Sequence, residues 1–252
     1  MEFVFTNFKN LVMAFSIQQN IKSFQDELGD KVCLVAVSKT KPESDLLEAY
    51  NAGQRVFGEN KIQEMTQKQE SLPKDIKWHM IGHVQTNKVK YMASYVDLVH
   101  AVHKLKLLKE LNKRAKEHNR VIDCLLQIKI AEEDTKYGMS KDQAKDLLES
   151  EAYKNMANIN VKGLMGMATF TKDEAQINRE FKFLKDFYDE LKSKHKFEIL
   201  SMGMSGDYKI ALNYGSNMVR IGSSIFGASD IVFSNIFSRS SKSFHLILLR
   251  WR

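Results

Sequence analysis

Only two cysteines and two prolines occur among the 252 residues of this chain, and it contains no stretch of about 20 apolar residues. Cys33 and Cys124 lie far apart in apolar segments, where a free thiol is usually buried, so they predict neither a zinc site nor a disulfide framework. The scarcity of proline argues against long disordered linkers, and the missing apolar stretch argues against a membrane-spanning helix. The amino terminus also lacks the basic start and the cleavage site of a secretory signal. We therefore expect a soluble protein of the reducing cytoplasm.

An excess of basic residues gives the chain a net charge of +7, but this excess is unevenly distributed. Four of the positive charges lie in the last 22 residues, which contain no Asp or Glu. The others are spread over helical segments of mixed charge, such as residues 104–120, as on an ordinary solvated helix surface. Because this distribution is weak evidence for nucleic-acid binding, we predict neither a nucleic-acid nor a membrane partner.

Apolar strand-like segments alternate with amphipathic helical segments through most of the chain. The helical pattern is clearest at Leu105–His118 and at Asp173–Lys194. Eight βα units in a chain of this length predict an α/β protein with a closed (β/α)8 TIM barrel. An open doubly wound sheet is the alternative, but its usual glycine-rich turn after the first strand is absent. The predicted strands are Val32–Ser38, Arg55–Gly58, Lys77–Gly82, Val96–Val102, Ile122–Ile130, Val161–Thr169, Phe197–Met202 and Met218–Gly222.

Segments at both ends flank the predicted barrel. A helical stripe of apolar residues begins at Ile17 and ends at Gly29, and we expect this added N-terminal helix to close the bottom of the barrel. The predicted divisions are an N-terminal extension at 1–16, the barrel at 17–229 and a C-terminal tail at 230–252. We expect the tail to lie outside the fold, with partner or membrane-surface binding as the alternative, because its apolar part is too short to span a bilayer.

Lys39 stands at the polar end of the first predicted strand and is followed by Thr40-Lys41-Pro42. Proline suits the first turn of a helix, so Lys39 lies at a strand-to-helix turn. In α/β barrels, the turns at the carboxyl ends of the strands carry the chemistry. A surface lysine that simply ends a strand is the plainer alternative.

Two glycine-containing turns follow the seventh and eighth predicted strands, where barrels commonly bind phosphate. They are Gly203-Met204-Ser205-Gly206-Asp207 and Arg220-Ile221-Gly222-Ser223-Ser224. Their serines supply hydroxyl groups, and Gly222 permits close approach of the backbone to an anion. Taken singly, each turn is also compatible with an ordinary serine helix cap. Together, a lysine and a phosphate cradle suggest a Schiff-base site for pyridoxal 5'-phosphate (PLP).

Two further motifs contain polar residues near predicted strand ends. Asn60, in Phe57-Gly58-Glu59-Asn60, is either an amide donor in the barrel mouth or the cap of the next helix. His79 and His83 are spaced four apart, which suits a metal site on a helix, but they lie on a predicted strand and its turn. We therefore predict no metal site and expect packed or loop histidines.

In combination, these segments resemble the YggS/PROSC family of pyridoxal-phosphate homeostasis proteins. The resemblance extends from Ile17 to Ala228 and rests on seven ordered motifs, which are more specific together than any one glycine turn. Two features depart from the family pattern. His83 stands where many members have Pro or Arg, and the chain continues beyond the motif at which family members usually stop. The seven motifs are Leu34–Pro42, Phe57–Asn60, Trp78–Gly82, Gln85–Lys88, Gly163–Met167, Ser201–Asp207 and Met218–Gly227.

The resemblance implies a barrel of the fold-type III PLP class, similar to the N-terminal domain of alanine racemase. It also implies which residues of this chain bind PLP. They are Lys39, which carries the cofactor as a Schiff base, Asn60 beside the cofactor, Lys136 near the site after the fifth strand, Arg220 facing the pyridine nitrogen, and Ser205, Gly222 and Ser223 around the phosphate.

The implied function is intracellular PLP (vitamin B6) homeostasis and supply rather than catalysis, with indirect effects on amino-acid and keto-acid balance. A charged Arg220 facing the pyridine nitrogen weakens the ring as an electron sink. A racemase would also need a second acid or base, and we expect no further domain to supply one. The predicted partners are PLP and apo PLP-dependent enzymes, and we expect a monomer. The alternatives are a single-domain PLP-dependent racemase or lyase, with Lys39 and Lys136 as bases, and a PLP-independent barrel for another phosphorylated metabolite.

Overall fold

Eight parallel strands follow one another around a closed barrel in chain order, and the eighth pairs with the first. The computed structural model describes residues 16–133 and 137–227. The strands are β1 (Cys33–Val37), β2 (Val56–Glu59), β3 (Lys77–Met80), β4 (Leu98–Val102), β5 (Ile122–Gln127), β6 (Ile159–Met165), β7 (Ile199–Met204) and β8 (Met218–Ile221). The α-helices are α1 (Ile17–Leu28), α2 (Glu43–Asn51), α3 (Ile62–Ser71), α4 (Leu105–Glu117), α5 (Lys141–Glu149), α6 (Glu151–Lys154), α7 (Glu174–His195), α8 (Tyr208–Asn213) and α9 (Ser223–Phe226). A 3-10 helix, Thr86–Tyr91, lies between β3 and β4.

The predicted (β/α)8 barrel is confirmed, and each of its eight strands is present. Three strands differ most from the prediction at their ends. β5 ends at Gln127 rather than Ile130, and β6 ends at Met165 rather than Thr169. β6 also begins at Ile159 rather than Val161, because its first residues alternate between buried and exposed and do not form an apolar run. β7 continues to Met204 rather than ending at Met202, because Gly203 stays within the strand with a φ of 95°.

The N-terminal helix is present, but the expectation that it closes the bottom of the barrel is wrong. α1 packs on the outer side of the barrel against α2 and α9. The ring of Phe24 lies 5.6 Å from that of Tyr208 in α8, and Asn20 Nδ2 donates to Ile225 O at 3.0 Å. Because α9 has only four residues, α1 supplies the outer helix that covers the junction of β8 and β1.

Apolar side chains fill both sides of the strands. The larger cluster lies between the barrel and its helices, and a smaller one, including Val35, Leu125 and Met165, lies inside the barrel. Both arise because alternate residues of a strand face opposite sides. Cys124 is buried in the larger cluster, whereas Cys33 at the start of β1 is only partly buried.

The predicted terminal segments lie almost entirely outside the described residues. Of the predicted extension at 1–16 only Ser16 is described, and it is the N-cap of α1, with a hydrogen bond to its side chain from Gln19 N at 3.2 Å. The predicted tail at 230–252 lies wholly outside. No helix within 16–133 and 137–227 has the length and hydropathy needed to cross a membrane.

Candidate cofactor site

A cavity of about 840 Å³ opens at the carboxyl ends of the strands. It brings together all the predicted cofactor residues within the described part of the chain: Lys39, Asn60, Ser205, Arg220, Gly222 and Ser223. Lys136 lies outside the described residues. The closure of the barrel explains the assembly, because β8 pairs with β1 and with β7 and so places the turns after all three strands side by side.

The turn after β1 directs Lys39 to the cavity. Ser38 is buried, and its amide donates to Gly58 O at 3.1 Å, which continues the pairing of β1 with β2. Thr40 has a φ of 62°, in the left-handed region, so the chain turns sharply after the lysine. Lys41 points away and donates to Phe226 O at 2.8 Å. Lys39 itself is exposed at the cavity wall, as an amine that reacts with a soluble ligand must be.

The loops after β7 and β8 meet on the same side of the cavity. The amide of Gly222 donates to Ser205 Oγ at 3.3 Å, so the two loops are in direct contact. A Cβ on Gly222 would lie 3.3 Å from Val37 Cβ and O, so glycine lets this loop pack closely against the end of β1. Ser223 is the first residue of α9, and the first amides of a helix have no carbonyl partner within it. The loops therefore present hydroxyl and amide donors to an anion.

Arg220 lies in β8 and forms part of the cavity wall from within the barrel. Its side chain is almost fully buried, with Nη1 donating to Ser201 Oγ at 2.5 Å and Nη2 to Gly166 O at 2.9 Å. Burial lowers its pKa to about 10, an effect that the nearby Asp207 opposes, so the guanidinium remains charged at neutral pH. Two of its five N–H groups are used in these bonds, which leaves donors for a ligand in the cavity.

Two buried histidines continue the hydrogen-bonded chain behind Arg220. His100 Nδ1 lies 3.4 Å from Ser201 Oγ, and His100 Nε2 lies 3.1 Å from His79 Nδ1. Burial lowers the pKa of His79 to about 3 and that of His100 well below its usual value, so both are neutral at physiological pH. His79 is thus a packed histidine and His83 a loop histidine at the cavity mouth. Within 16–133 and 137–227, no three His, Cys, Asp or Glu side chains are grouped to hold a metal ion.

Sequence reasoning assigned no role to His100, Ser201 or the opposite wall of the cavity. That wall includes Gln127, whose Nε2 donates to Tyr137 O at 2.8 Å, and Phe170, whose side chain is 93% exposed. A polar residue inside an apolar strand segment was the available signal for His100 and Gln127. Such a residue must find a partner within the barrel or face its cavity.

Asn60 lies between β2 and α3, half-buried at the cavity. The alternative that it caps α3 is excluded, because Lys61 is the N-cap and no side chain caps this helix. A Cβ on Gly82 would lie 2.4 Å from Asn60 O, so glycine is needed for the turn after β3 to pack against Asn60. The close packing fixes the backbone from which the Asn60 amide reaches the cavity.

Comparison with known proteins identifies the family of the chain. A family model for the alanine racemase N-terminal domain matches residues 14–230. The chain is 38% identical over 197 residues to the pyridoxal phosphate homeostasis protein of Aquifex aeolicus, and the match covers 77% of this chain and 86% of that protein. The chain belongs to the pyridoxal phosphate homeostasis protein family.

Solved structures agree with this assignment. PipY of Synechococcus elongatus, solved with PLP bound, is 31% identical with a TM-score of 0.76, over 84% of this chain and 100% of PipY. Alanine racemase of Streptomyces lavendulae has a TM-score of 0.72 over 86% of this chain and 58% of the racemase, but is only 14% identical. The homeostasis protein family therefore shares its barrel fold with the racemase.

Proposed function

We propose that this chain binds PLP in the cavity at the barrel mouth, holds it by a Schiff base on Lys39 and serves intracellular PLP homeostasis. The observation that carries the proposal is that Lys39, the loops at Ser205 and Gly222, and Arg220 all line one cavity, although they are far apart in the sequence. These groups complement the aldehyde, the phosphate and the pyridine nitrogen of PLP. The names of the relatives and the PLP bound to PipY support the same ligand.

Each protein group has a separate task in this proposal. Lys39 would hold the cofactor through Nζ, and PLP would supply the aldehyde for a reversible covalent bond there, with release of water. The hydroxyls of Ser205 and Ser223 and the loop at Gly222 would hold the phosphate. Arg220 would face the pyridine nitrogen, and Asn60 would lie beside the ring.

Two features of the cavity fit such a ligand. Its volume of about 840 Å³ is within the usual range for small-molecule sites. The cavity lining also includes two basic side chains, Lys39 and Arg220, against one carboxylate, Asp207, and this excess of basic groups favours a phosphate monoester. The absence of a Cβ at Gly222 lets the phosphate loop pack against the end of β1, next to the Lys39 turn.

We infer that the chain holds and supplies PLP rather than using it in catalysis. With a pKa of about 10, Arg220 stays cationic at neutral pH. A cation facing the pyridine nitrogen disfavours protonation there, and an unprotonated ring is a weaker electron sink for a substrate carbanion. Reversible covalent storage does not depend on that sink. The protein thus limits the free concentration of a reactive aldehyde and releases it to apo PLP-dependent enzymes.

The first test is to locate the covalent bond. The purified protein is incubated with PLP, its absorbance spectrum is recorded before and after borohydride reduction, and the reduced adduct is located by peptide mapping. We expect the adduct on Lys39 and its loss in Lys39→Ala. Lys104→Ala, at an exposed lysine after β4, is the matched control and should retain the adduct. An adduct spread over surface lysines, with none on Lys39, would overturn the proposal.

A second test separates storage from catalysis. Exchange of the Cα proton of alanine with deuterated water is followed in the presence of the PLP-loaded protein and of the same concentration of free PLP. We expect equal rates, because the ring is a poor electron sink. Exchange or racemisation at a catalytic rate would contradict the non-catalytic role, while leaving the PLP site itself intact.

A further inference from the structure

A buried ionic cluster lies behind the Lys39 turn, on the side away from the cavity. Lys68 of α3 is 5% exposed, and its Nζ donates to three oxygens, each at 2.8 Å: Ser38 O, Glu59 Oε1 and Glu64 Oε1. Glu59 is fully buried at the end of β2. An ammonium group has three N–H donors, so this arrangement uses all of them.

The cluster holds the backbone on both sides of Lys39. Before the lysine, Ser38 O accepts from Lys68, and Ser38 Oγ donates to Glu59 Oε1 at 2.6 Å. After the lysine, the amide of Thr40 donates to Glu64 Oε1 at 2.5 Å. Thr40 has a φ of 62°, which a β-branched residue rarely adopts, so this turn needs support from its surroundings.

Fold stability alone is a poor explanation for these buried charges. Desolvation makes a buried ion pair costly, and apolar side chains of similar volume often serve the fold equally well. Glu59 Oε2 also has no hydrogen-bond partner within the described residues, which adds to the cost. The bonds that the cluster does make converge on the two peptide groups that flank Lys39.

We propose that Lys68, with Glu59 and Glu64, is a positioning group that fixes the backbone of residues 38–40 and so sets the direction from which Lys39 Nζ reaches the aldehyde of the cofactor. The inference rests on the proposed PLP site. None of the three residues lines the cavity, so they act through the backbone of Lys39 and not by contact with the ligand.

The proposal predicts different effects on two steps, the non-covalent binding of PLP and the formation of the covalent bond. A purely structural ion pair would not distinguish between them. Phosphate and ring binding depend on Ser205, Gly222, Ser223 and Arg220, which the cluster does not touch. Formation of the covalent bond depends on the direction in which the Lys39 side chain points. Loss of the cluster should therefore slow bond formation and leave non-covalent binding in place.

The test uses Lys68→Met, with Lys182→Met as its matched control. Like the Lys68–Glu64 pair, Lys182 pairs with a residue four positions away, Asp186, but on the exposed surface of α7. The first readout is amide hydrogen exchange of the peptide containing residues 38–41 in the protein without PLP. We expect faster exchange in Lys68→Met and the wild-type rate in Lys182→Met.

The second readout compares two ligands. Pyridoxine 5'-phosphate has the ring and phosphate but no aldehyde, and its affinity, measured by calorimetry, should stay within about twofold of wild type. The rate of borohydride-trappable PLP bond formation at Lys39 should fall about tenfold or more, because small misalignments of a reacting group cost large factors in rate. Lys68→Arg, which retains the charge and the donors, should recover part of that rate.

The outcomes are separable. Wild-type exchange at residues 38–41 together with a wild-type rate in Lys68→Met would overturn the positioning role. If the wild-type protein forms no bond at Lys39, the proposed function fails, whereas the exchange result still reports on the turn. If Lys68→Met does not fold, Glu64→Leu takes its place. It removes the oxygen that accepts from Thr40 N and from Lys68 Nζ, and an unchanged bond-forming rate there would also count against the proposal.

Discussion

Replacement of the buried histidine pair by glutamine, in the double variant His79→Gln and His100→Gln, is expected to reduce the acid sensitivity of the fold. Both histidines lie inside the barrel, 6% and 0% exposed, and bond to each other at 3.1 Å. Burial lowers the pKa of His79 to about 3, and the pKa of His100 is also lowered, first by burial and then by His79 and Arg220. Glutamine retains a donor and an acceptor but does not titrate.

The sign and size of the effect follow from proton linkage. An unfolded histidine has a pKa of about 6.5, so below that pH the unfolded chain binds protons that the folded chain does not. The stability that these histidines contribute is therefore present above about pH 6.5 and is lost as the pH falls below that value, down to about pH 3 for His79. At about pH 5, the free energy of unfolding is lower by about 2 kcal/mol for each histidine that stays neutral in the folded state, or by about 4 kcal/mol if both do. That is a large part of the total stability of a typical domain.

The assay is urea unfolding of the PLP-free protein at about pH 7.5 and about pH 5. From the higher to the lower pH, the free energy of unfolding should fall by about 4 kcal/mol less in the double variant than in the wild type. His118→Gln, at an exposed histidine after α4, is the control and should behave as the wild type. Contributions of other titrating groups are common to all three proteins and cancel in the comparison. An equal loss in the double variant and the wild type would refute the assignment of both histidines as neutral in the fold.

Three further outcomes are expected. Ser205→Ala with Ser223→Ala should weaken retention of PLP by about 1–3 kcal/mol for each lost donor, measured by dialysis and absorbance, and unchanged retention would mean that the phosphate binds elsewhere. Gly222→Ala should reduce PLP affinity while circular dichroism stays unchanged, because the new Cβ would press on Val37 at 3.3 Å; wild-type affinity would show that the loop does not need glycine. Glu180→Gln should lower the free energy of unfolding by about 1.5–3 kcal/mol, because this buried carboxylate accepts two backbone amides, at 2.9 and 2.7 Å, from the loops after β5 and β6. Wild-type stability of that variant in thermal unfolding would show that the neutral amide satisfies the same donors.

The barrel was predictable because its strands are short apolar runs separated by helical periodicity. β1, β5 and β8 are buried along most of their length, so the apolar run itself marks the strand. The location of α1 was not predictable in the same way. An apolar stripe shows that a helix packs on something, but whether it lies below the barrel or beside it depended here on α9 having only four residues.

The cofactor site was predictable as a set of residue types at strand ends, whereas its supporting contacts were not. Lys39, Ser205 and Gly222 follow apolar strands, and barrel closure brings any such positions together. The ionic cluster behind Lys39 had no comparable signal. Lys68 and Glu64 are spaced four apart on α3, like an ordinary surface pair, and only the packing of α3 against β2 reveals that Lys68 is buried and Glu64 partly so.

The chain from Arg220 to the histidines obeys the two-residue alternation of the strands, because Leu98, Ile199 and Met218, two positions before His100, Ser201 and Arg220, also face the inside of the barrel. The wall beside His100 does not obey it. Strict alternation would place Ala101 outside with Val99 and would turn Val102 inward, but the β4–β5 register shifts between Val99 and Val102. As a result, both valines lie in the outer core and Ala101 lines the cavity. A second shift lies between Ser201 and Met204 of β7, beside the serine that joins His100 to Arg220. Because irregularities in a ladder re-aim side chains and concentrate near functional sites, the parts of the cavity wall at these two shifts depend on features that the period of the sequence cannot resolve.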